Sequence, residues 1–357
     1  MAQETQDQAQ PVLVGTSLPR LDGPDKVTGR ARYAGDQLLP GMLFARLVLS
    51  PFAHARIMNI DTSPALSLPG VVAVFTAETL GMAQAGDLLA RSQSPLAQQE
   101  VLWCGHPVAV VVGETEAIAE DGAAAVEVDY DPLPVVIDPE AAIRPDSPLA
   151  RSHHEAPAAA GDAHAAAPQW GAPIAEEELS RNASQTPPIT MGDIEAGLRE
   201  ADAVVERTYR THPVHQSYME PHAVTVSPSS SGHDLVVWPS TQGLFNVRSA
   251  VARALKMPER HIHVEPVPIG GGFGGKETLL EPLVAMVALR LRKPVHLVYT
   301  RQEDLLAGNP APQTVITIKL GAKRDGTLTA IQVRMILDSG AYPNPLAGFS
   351  GFHFAGA

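Results

Sequence analysis

The chain has 357 residues, a formal net charge of -13 and a single cysteine. This length is sufficient for two domains, each with its own core. The acidic balance, without a lysine or arginine cluster, argues against binding to nucleic acid or to an anionic membrane surface. Residues 1–10 lack the basic start and apolar run of a signal peptide, and no stretch is apolar enough to span a bilayer. The sequence therefore predicts a soluble, cytoplasmic protein without a membrane span.

The single cysteine, Cys104, excludes an internal disulfide and any iron-sulfur cluster held by this chain alone. It follows a short apolar segment beside a predicted strand, and nothing near it in the sequence would activate the thiol. We therefore expect a buried, structural thiol.

The first part of the chain alternates short strands with one clear helix. Apolar runs and period-two alternation predict strands, and helical spacing predicts one helix before a strand that two prolines close. In chain order the predicted strands are 43–49, 71–75, 108–112 and 126–130, and the helix is 117–126. This pattern is typical of an α+β domain.

Residues 141–188 are rich in alanine, proline, serine and histidine. Such a segment cannot bury enough apolar surface to fold by itself, which predicts a linker between two domains. His153, His154 and His164 lie in it, but secondary structure does not fix their spacing as a metal site requires. A solvated linker is the favoured interpretation.

Beyond the linker the pattern again mixes helices and strands. Predicted helices cover 194–201 and 245–255, and predicted strands cover 203–209, 235–238, 315–320 and 328–337. Asp325 and Gly326 lie between the last two strands and predict a hairpin turn.

A glycine-rich loop, Gly-Gly-Gly-Phe-Gly-Gly-Lys-Glu at 270–277, separates a predicted strand at 261–269 from a predicted helix at 279–291. Glycines let a ligand approach the backbone, and a helix N-terminus offers unpaired N–H donors. We therefore expect the loop to open directly onto the helix and to suit an anionic ligand.

Three interpretations of this loop compete. A structural turn is the simplest, but five glycines cost more backbone entropy than a turn alone explains. Gly270, Gly275 and Lys276 match a Walker A loop, but Glu277 stands where Ser or Thr must bind magnesium, and its carboxylate would repel phosphate. The dinucleotide pattern also fits the glycines, but no acidic residue follows at the required distance within a strand. The third interpretation depends on the rest of the chain.

Several other segments accompany the loop in a fixed order. They are Arg20–Gly23, Lys26–Gly29 with Tyr33, Pro51–Ala55, Gly105–Val111, Glu220–His222, Ser240–Gln242, Thr300–Asp304 and Asp338–Tyr342. With the glycine loop, they resemble the molybdopterin-binding subunit of the xanthine dehydrogenase and aldehyde oxidase family of molybdenum hydroxylases. The resemblance implies an α+β fold. The expected domains of the chain are an N-terminal extension at 1–19, a hammerhead α/β domain at 20–140, the linker at 141–188 and an incomplete first molybdopterin-binding domain at 189–357.

The resemblance also implies roles for individual residues. Gln242 matches the glutamine whose side-chain amide donates toward the oxo ligand of molybdenum, and Glu277 matches a glutamate on the substrate side. The loop residues that match those lying against the metal centre are Gly271, Gly272, Phe273 and Gly274. Each residue alone has an ordinary alternative role, because a Gln is often a cap, a Phe is often core and a Glu often stabilises a helix N-terminus.

The implied reaction is oxidation of an aldehyde or N-heterocycle with oxygen drawn from water. The resemblance implies molybdopterin or its cytosine dinucleotide form as the cofactor, with iron-sulfur and FAD subunits as partners. Glu277 favours these substrates over carbon monoxide. No protein ligand to molybdenum is expected, so His212, His215 and His222 need not form a metal site.

The sequence departs from the family in one respect, because it contains no Gly-x-Gly-Glu segment and hence no general-base glutamate. We therefore expect no turnover by this chain alone. Three explanations are open: a naturally split subunit with a second molybdopterin-domain chain, a truncated gene, or a sequence that is part of a longer chain. The last two are favoured. The alternative function is a non-catalytic structural subunit.

Overall fold

The structure is a computed structural model that describes residues 15–82, 94–152, 179–183 and 190–342. The helices of the described residues are α1 Gly23–Val27, α2 Ser63–Leu66, α3 Glu116–Ala124, α4 Pro139–Ala142, α5 Ile194–Glu200, α6 Leu244–Leu255, α7 Glu281–Leu291 and α8 Arg301–Ala307. The strands are β1 Leu43–Leu49, β2 Ala55–Asp61, β3 Val71–Thr76, β4 Glu100–Val101, β5 Pro107–Gly113, β6 Glu127–Pro132, β7 Ala203–Arg210, β8 Ala223–Pro228, β9 Leu235–Pro239, β10 Ile262–Val264, β11 Val295–Val298, β12 Thr314–Ala322 and β13 Leu328–Leu337.

A seven-stranded mixed sheet forms the centre of the molecule, in the order β10-β9-β8-β11-β1-β5-β3. Its strands come from both sides of the predicted linker. The junction is the parallel pair of β1 and β11, in which Leu43 lies opposite Val295. Strands β8 and β9 pair antiparallel, as do β1 and β5. The linker thus separates two stretches of sequence that share one sheet.

Helices pack on the central strands of this sheet and bury them. Every residue of β5 is buried, as expected for a continuous Val-rich strand in the middle of a layered fold. Helix α3 packs on β1 and β5, and α7 packs on β8, β9 and β11. Leu283, Val284 and Val287 of α7 are at most 1% exposed. The sheet and these helices therefore form the main core.

Two three-stranded sheets flank the main sheet. One has the order β4-β2-β6, and the other has the order β13-β12-β7. In the second sheet, β12 and β13 form the hairpin predicted around Asp325 and Gly326. Helix α5 packs on β12 and β13, and β7 lies at the edge with all of its residues exposed.

The mixed α and β architecture confirms the predicted fold class, and the predicted elements recur within a few residues. The strand predicted at 261–269 is wrong in length, because β10 ends at Val264. Pro266 and Pro268 follow, and proline cannot donate to a ladder. The prediction that the glycine loop opens directly onto a helix is also wrong, since α7 begins only at Glu281. The elements that were not predicted are β2, β4, β8, β11, α1, α2, α4 and α8.

Cys104 corrects another expectation, because its side chain is exposed and forms no disulfide. It lies in the turn between β4 and β5. The next residue, Gly105, has a φ of +96°, and a Cβ there would meet the main chain of Leu306. The close contact at Gly105 fixes this turn, and the thiol points away from the core.

The structure describes the predicted linker at residues 141–152 and 179–183. Helix α4 overlaps its first two residues, and Asn182 joins the two described stretches by donating to the carbonyl oxygens of Ala142 and Pro148 at 3.2 and 2.8 Å. Its own amide oxygen accepts from the Ala150 N–H at 2.9 Å. His153, His154 and His164 lie outside the described residues. In the described part of the chain, no helix has the length and apolarity needed to cross a membrane.

Candidate functional site

The glycine loop lies between β10 and α7 and has an unusual backbone. Gly271, Phe273 and Gly274 adopt φ angles of +97°, +49° and +85°. A bulky residue in this region is uncommon and requires its surroundings to hold it there. Phe273 is nevertheless 74% exposed. The loop therefore presents an aromatic side chain outward from a strained position.

Close packing explains the remaining glycines. A Cβ at Gly272 would lie 2.5 Å from Oε1 of Gln242, and one at Gly275 would lie 2.6 Å from Oε1 of Gln216. A Cβ at Gly270 would collide with the side chain of Glu220. Each glycine of the loop therefore has a local reason in the fold, either close packing or a positive φ.

Gln242, at the turn between β9 and α6, is the side chain around which the loop folds. Its Oε1 accepts hydrogen bonds from the N–H groups of Gly274 at 3.0 Å and Lys276 at 3.2 Å. Its own N–H donates to the Lys276 carbonyl at 2.8 Å. Two N–H donors require the oxygen end of the carboxamide on the loop side. The Nε2 group, with two donor hydrogens, therefore faces away from the loop on an exposed side chain.

Backbone donors lie beside that amide. The N–H groups of Gly271, Gly272 and Phe273 donate to no group in the described part of the chain. Successive N–H groups in a backbone of alternating hand form a concave donor site for anions and oxygen atoms. The loop and the Gln242 amide together can therefore bind a ligand rich in hydrogen-bond acceptors.

A buried ion pair lies beneath the loop. The Lys276 side chain is 0% exposed, and its Nζ lies 2.6 Å from Oε2 of Glu220. The same oxygen accepts from the Gly270 N–H at 2.7 Å, and Nζ lies 4.8 Å from the Tyr218 ring centroid. Burial lowers the pKa of Lys276, and the hydrogen bond and charge of Glu220 oppose that shift. The lysine is thus a structural cation and does not face a ligand.

A second buried network surrounds Asp304 of α8, which is 0% exposed. Its Oδ1 lies 2.7 Å from Nδ1 of His222 and accepts from the Tyr218 hydroxyl at 3.2 Å. Its Oδ2 lies 3.1 Å from Nη1 of Arg301 and 3.6 Å from Nε2 of His215. Burial alone would raise the pKa of Asp304, but the hydrogen bonds and charge of His222 together with the charge of His215 outweigh it, and the pKa is lowered. The carboxylate is therefore ionised and locks α8 under the loop.

His215 and His222 therefore serve this network. Among the described residues, no cluster of three or more His, Cys, Asp or Glu could hold a metal. His212 is exposed and lies outside the network. A ligand at the loop would thus be held by N–H donors and the Gln242 amide.

Glu277 is half-buried at the end of the loop. It follows Lys276 directly, whereas the contacts of Gln242 with the loop are made by Gly274 and Lys276. Its negative charge is one of the causes that raise the pKa of Glu281, the first residue of α7. Burial raises the pKa of Glu281 to about 7, against the opposing effect of the Leu279 N–H that donates to it.

The structure brings Gln242 into contact with Gly272 and Gly274, and the contacts of Gln242 with the loop do not include Glu277. Sequence reasoning missed the roles of Glu220 and Asp304. Both residues lie in segments that carry the family resemblance, Glu220–His222 and Thr300–Asp304, and this was the only sign of their importance in the sequence. Their partners are 56 and 82 residues away in sequence, so local patterns could not pair them.

Two protein-family models match the chain. The molybdopterin cofactor-binding domain matches residues 175–354. The aldehyde oxidase and xanthine dehydrogenase a/b hammerhead domain matches residues 28–134. The first match contains Gln242 and the whole glycine loop.

Comparison with individual proteins gives the same result. The chain is 34% identical to the carbon monoxide dehydrogenase large chain of Afipia carboxidovorans, covering 92% of this chain and 40% of that protein. It is 30% identical to the nicotinate dehydrogenase large molybdopterin subunit of Eubacterium barkeri, covering 92% of this chain and 71% of that subunit. The crystal structure of quinoline 2-oxidoreductase from Pseudomonas putida superposes with a TM-score of 0.74 at 30% identity, over 92% of this chain and 40% of that chain. The chain thus spans less than half the length of two of these three.

Proposed function

This chain belongs to the xanthine dehydrogenase and aldehyde oxidase family of molybdenum hydroxylases, and we propose that it supplies one wall of such an enzyme's cofactor site. The observation that carries the proposal is the fixed carboxamide of Gln242. Its oxygen is occupied by two loop N–H groups, so its Nε2 donors are available to a ligand beside the loop. Gln242, Gly271, Gly272, Phe273 and Gly274 would form this wall.

The residues present fit a molybdopterin cofactor. The pterin dithiolene itself carries the metal in this family, so no protein ligand is needed, and the loop offers N–H donors instead. When bound, the cofactor supplies two-electron oxidation of a substrate carbon with oxygen from water. Gln242 would orient the cofactor through Nε2, the N–H groups of Gly271 and Gly272 would bind its acceptor atoms, and Phe273 would exclude water from its edge.

We assign Glu277 to the substrate side of the site. It is half-buried and directly follows the residue that holds Gln242. A carboxyl group there would accept a hydrogen bond from a ring N–H or orient an aldehyde. An aldehyde or N-heterocycle is therefore the proposed substrate class. The relatives bear names of both nicotinate and carbon monoxide dehydrogenases, so identity alone does not choose between these branches.

Electrons would leave through iron-sulfur clusters and FAD on partner chains. The single cysteine cannot hold a cluster by itself. The names of the relatives, "large chain" and "large molybdopterin subunit", support a multi-subunit assembly. We also propose a cytoplasmic location and a second chain or segment with the general-base glutamate.

A second candidate function is a non-catalytic structural subunit. It is favoured by one observation, namely that every glycine of the loop is explained by local packing or φ. Retention of the loop therefore does not by itself require a bound cofactor.

Molybdenum content separates the two candidates. The chain is purified from its native host with every co-purifying polypeptide, and molybdenum is measured by elemental analysis. We expect near-stoichiometric metal. Gln242→Ala should lower the molybdenum that survives gel filtration, whereas the matched variant Gln332→Ala, on the exposed surface of β13, should not. A metal-free chain without a partner that carries the missing glutamate would favour the structural subunit.

A further inference from the structure

We propose that Lys276 is a positioning residue, and that its buried ion pair with Glu220 fixes the glycine loop against Gln242. The inference rests on the proposed function, because its purpose is to aim the Gln242 amide at a cofactor. It assigns a task to two residues that would not touch the cofactor themselves.

One carboxylate oxygen of Glu220 holds the loop closed. Oε2 of Glu220 accepts from the Gly270 N–H at 2.7 Å and from Lys276 Nζ at 2.6 Å. Gly270 is the first residue of the loop and Lys276 is the last but one. One oxygen atom therefore binds both ends of a loop whose interior has strained backbone angles, which limits how far those ends can separate.

The main chain of Lys276 is hydrogen-bonded to Gln242. The Lys276 N–H donates to Oε1 of Gln242 at 3.2 Å. Its carbonyl accepts from the Gln242 N–H at 2.8 Å and from the Thr241 hydroxyl at 3.3 Å. The residue whose side chain is anchored below the loop is thus the residue whose backbone orients the glutamine above it.

The ammonium group of Lys276 lies in a buried environment. Lys276 is fully buried, and Nζ lies over the Tyr218 ring, whose hydroxyl donates to Asp304. A buried ion pair is weak support for stability, since apolar replacements of similar volume are often as stable. A buried pair with geometric demands can instead specify one arrangement of its surroundings, and here that arrangement is the contact of the loop with Gln242.

Hydrogen exchange measured by mass spectrometry tests the proposal without needing enzymatic activity. Lys276→Met in the full chain, purified with its partners, should raise the exchange rate of the 270–276 segment about tenfold or more, because the loop loses its anchor. The matched control is Arg46→Met. Arg46, on β1 of the main sheet, is also a buried cation, 6% exposed, and it pairs with Glu116 of α3 and Glu303 of α8. It should lower the melting temperature but leave exchange in this segment unchanged.

A double variant separates positioning from charge balance. Lys276→Met combined with Glu220→Gln leaves no unpaired buried charge, so the melting temperature should recover relative to each single variant. Exchange in the loop should remain fast. Wild-type exchange in either Lys276→Met or the double variant would overturn the proposal, as would equal acceleration in Arg46→Met.

The molybdenum measurement keeps the two proposals distinct. A chain that lacks molybdenum but shows faster loop exchange in Lys276→Met would refute the proposed function and support the positioning role. A molybdenum-loaded chain whose loop exchange does not respond would do the reverse.

Discussion

The seven-stranded sheet and the sheet formed by β13, β12 and β7 differ in how they use apolar residues. Strand β5 buries all of its residues in the first sheet, whereas β7 exposes all of its residues in the second. In the second sheet, Leu320 of β12 pairs with Val205 of β7 on one side and with Ile331 of β13 on the other. Val205 and Ile331 are 52% and 55% exposed.

This difference shows that strand composition does not decide burial. Both sheets are rich in Val and Ile, but α3 and α7 pack on the central strands of the first, whereas the short helices α4 and α5 contact only part of the second in the described chain. Helix α5 covers one part of the second sheet, at Gly197 and Ala330. The first sheet therefore carries the stability of the described fold, and the second contributes much less of it.

Leu297→Ala in β11 should have the largest effect on stability. Leu297 is 1% exposed in the main core, and truncating a buried leucine costs about 2–5 kcal/mol, including the cavity that it leaves. Denaturant unfolding measures the change. A loss below about 1 kcal/mol would mean that this sheet is not the stable part of the molecule.

Glu281→Gln should reveal the cost of a buried carboxyl group at the start of α7. The pKa of Glu281 is raised from 4.5 to about 7, with burial as the main cause. The folded state therefore binds the proton more tightly, and this group's stabilising contribution is lost as pH rises from about 4.5 to 7. The shift corresponds to roughly 3 kcal/mol.

The variant lacks this titration, so its unfolding free energy relative to the wild type should rise between pH 5 and pH 8. Denaturant unfolding at the two pH values gives the comparison. A difference between variant and wild type that does not depend on pH would contradict the shifted carboxyl group.

One substitution made in each sheet gives the sharpest comparison. Val110 in β5 is 0% exposed and Val333 in β13 is 43% exposed. Val110→Thr buries a hydroxyl in an apolar core and should cost about 1–3 kcal/mol. Val333→Thr keeps the β-branch on an exposed face and should stay within about 0.5 kcal/mol. Equal losses in thermal unfolding would mean that the second sheet is buried in solution.

The sequence predicted those elements whose own patterns were strong. The alternation of β12 and β13, the Asp-Gly turn and the Val-rich β5 all follow from local periodicity. Strand β11 has four residues and was missed, because so short an apolar run carries little periodic signal. Cys104 was predicted buried, but burial of a turn residue depends on which tertiary neighbours cover it.

The candidate site was predictable only in part. The segments with Gln242 and the glycine loop were found, and the structure places these two in contact. The buried pairs beneath them were not found, because Glu220 and Asp304 gain their partners only through tertiary contacts. The number of glycines did not reveal which of them are required by close contact with Gln242, Gln216 and Glu220.

The parallel pairing of β1 with β11 has a consequence for the order of folding during synthesis. Arg46 donates to the carbonyl oxygen of Val298, 252 residues further along the chain. The N-terminal strands therefore emerge from the ribosome long before the neighbour that completes their sheet. Non-local pairing of this kind slows folding and leaves an unpaired strand edge in the nascent chain. Until β11 emerges, this edge of β1 is open to pairing with other molecules.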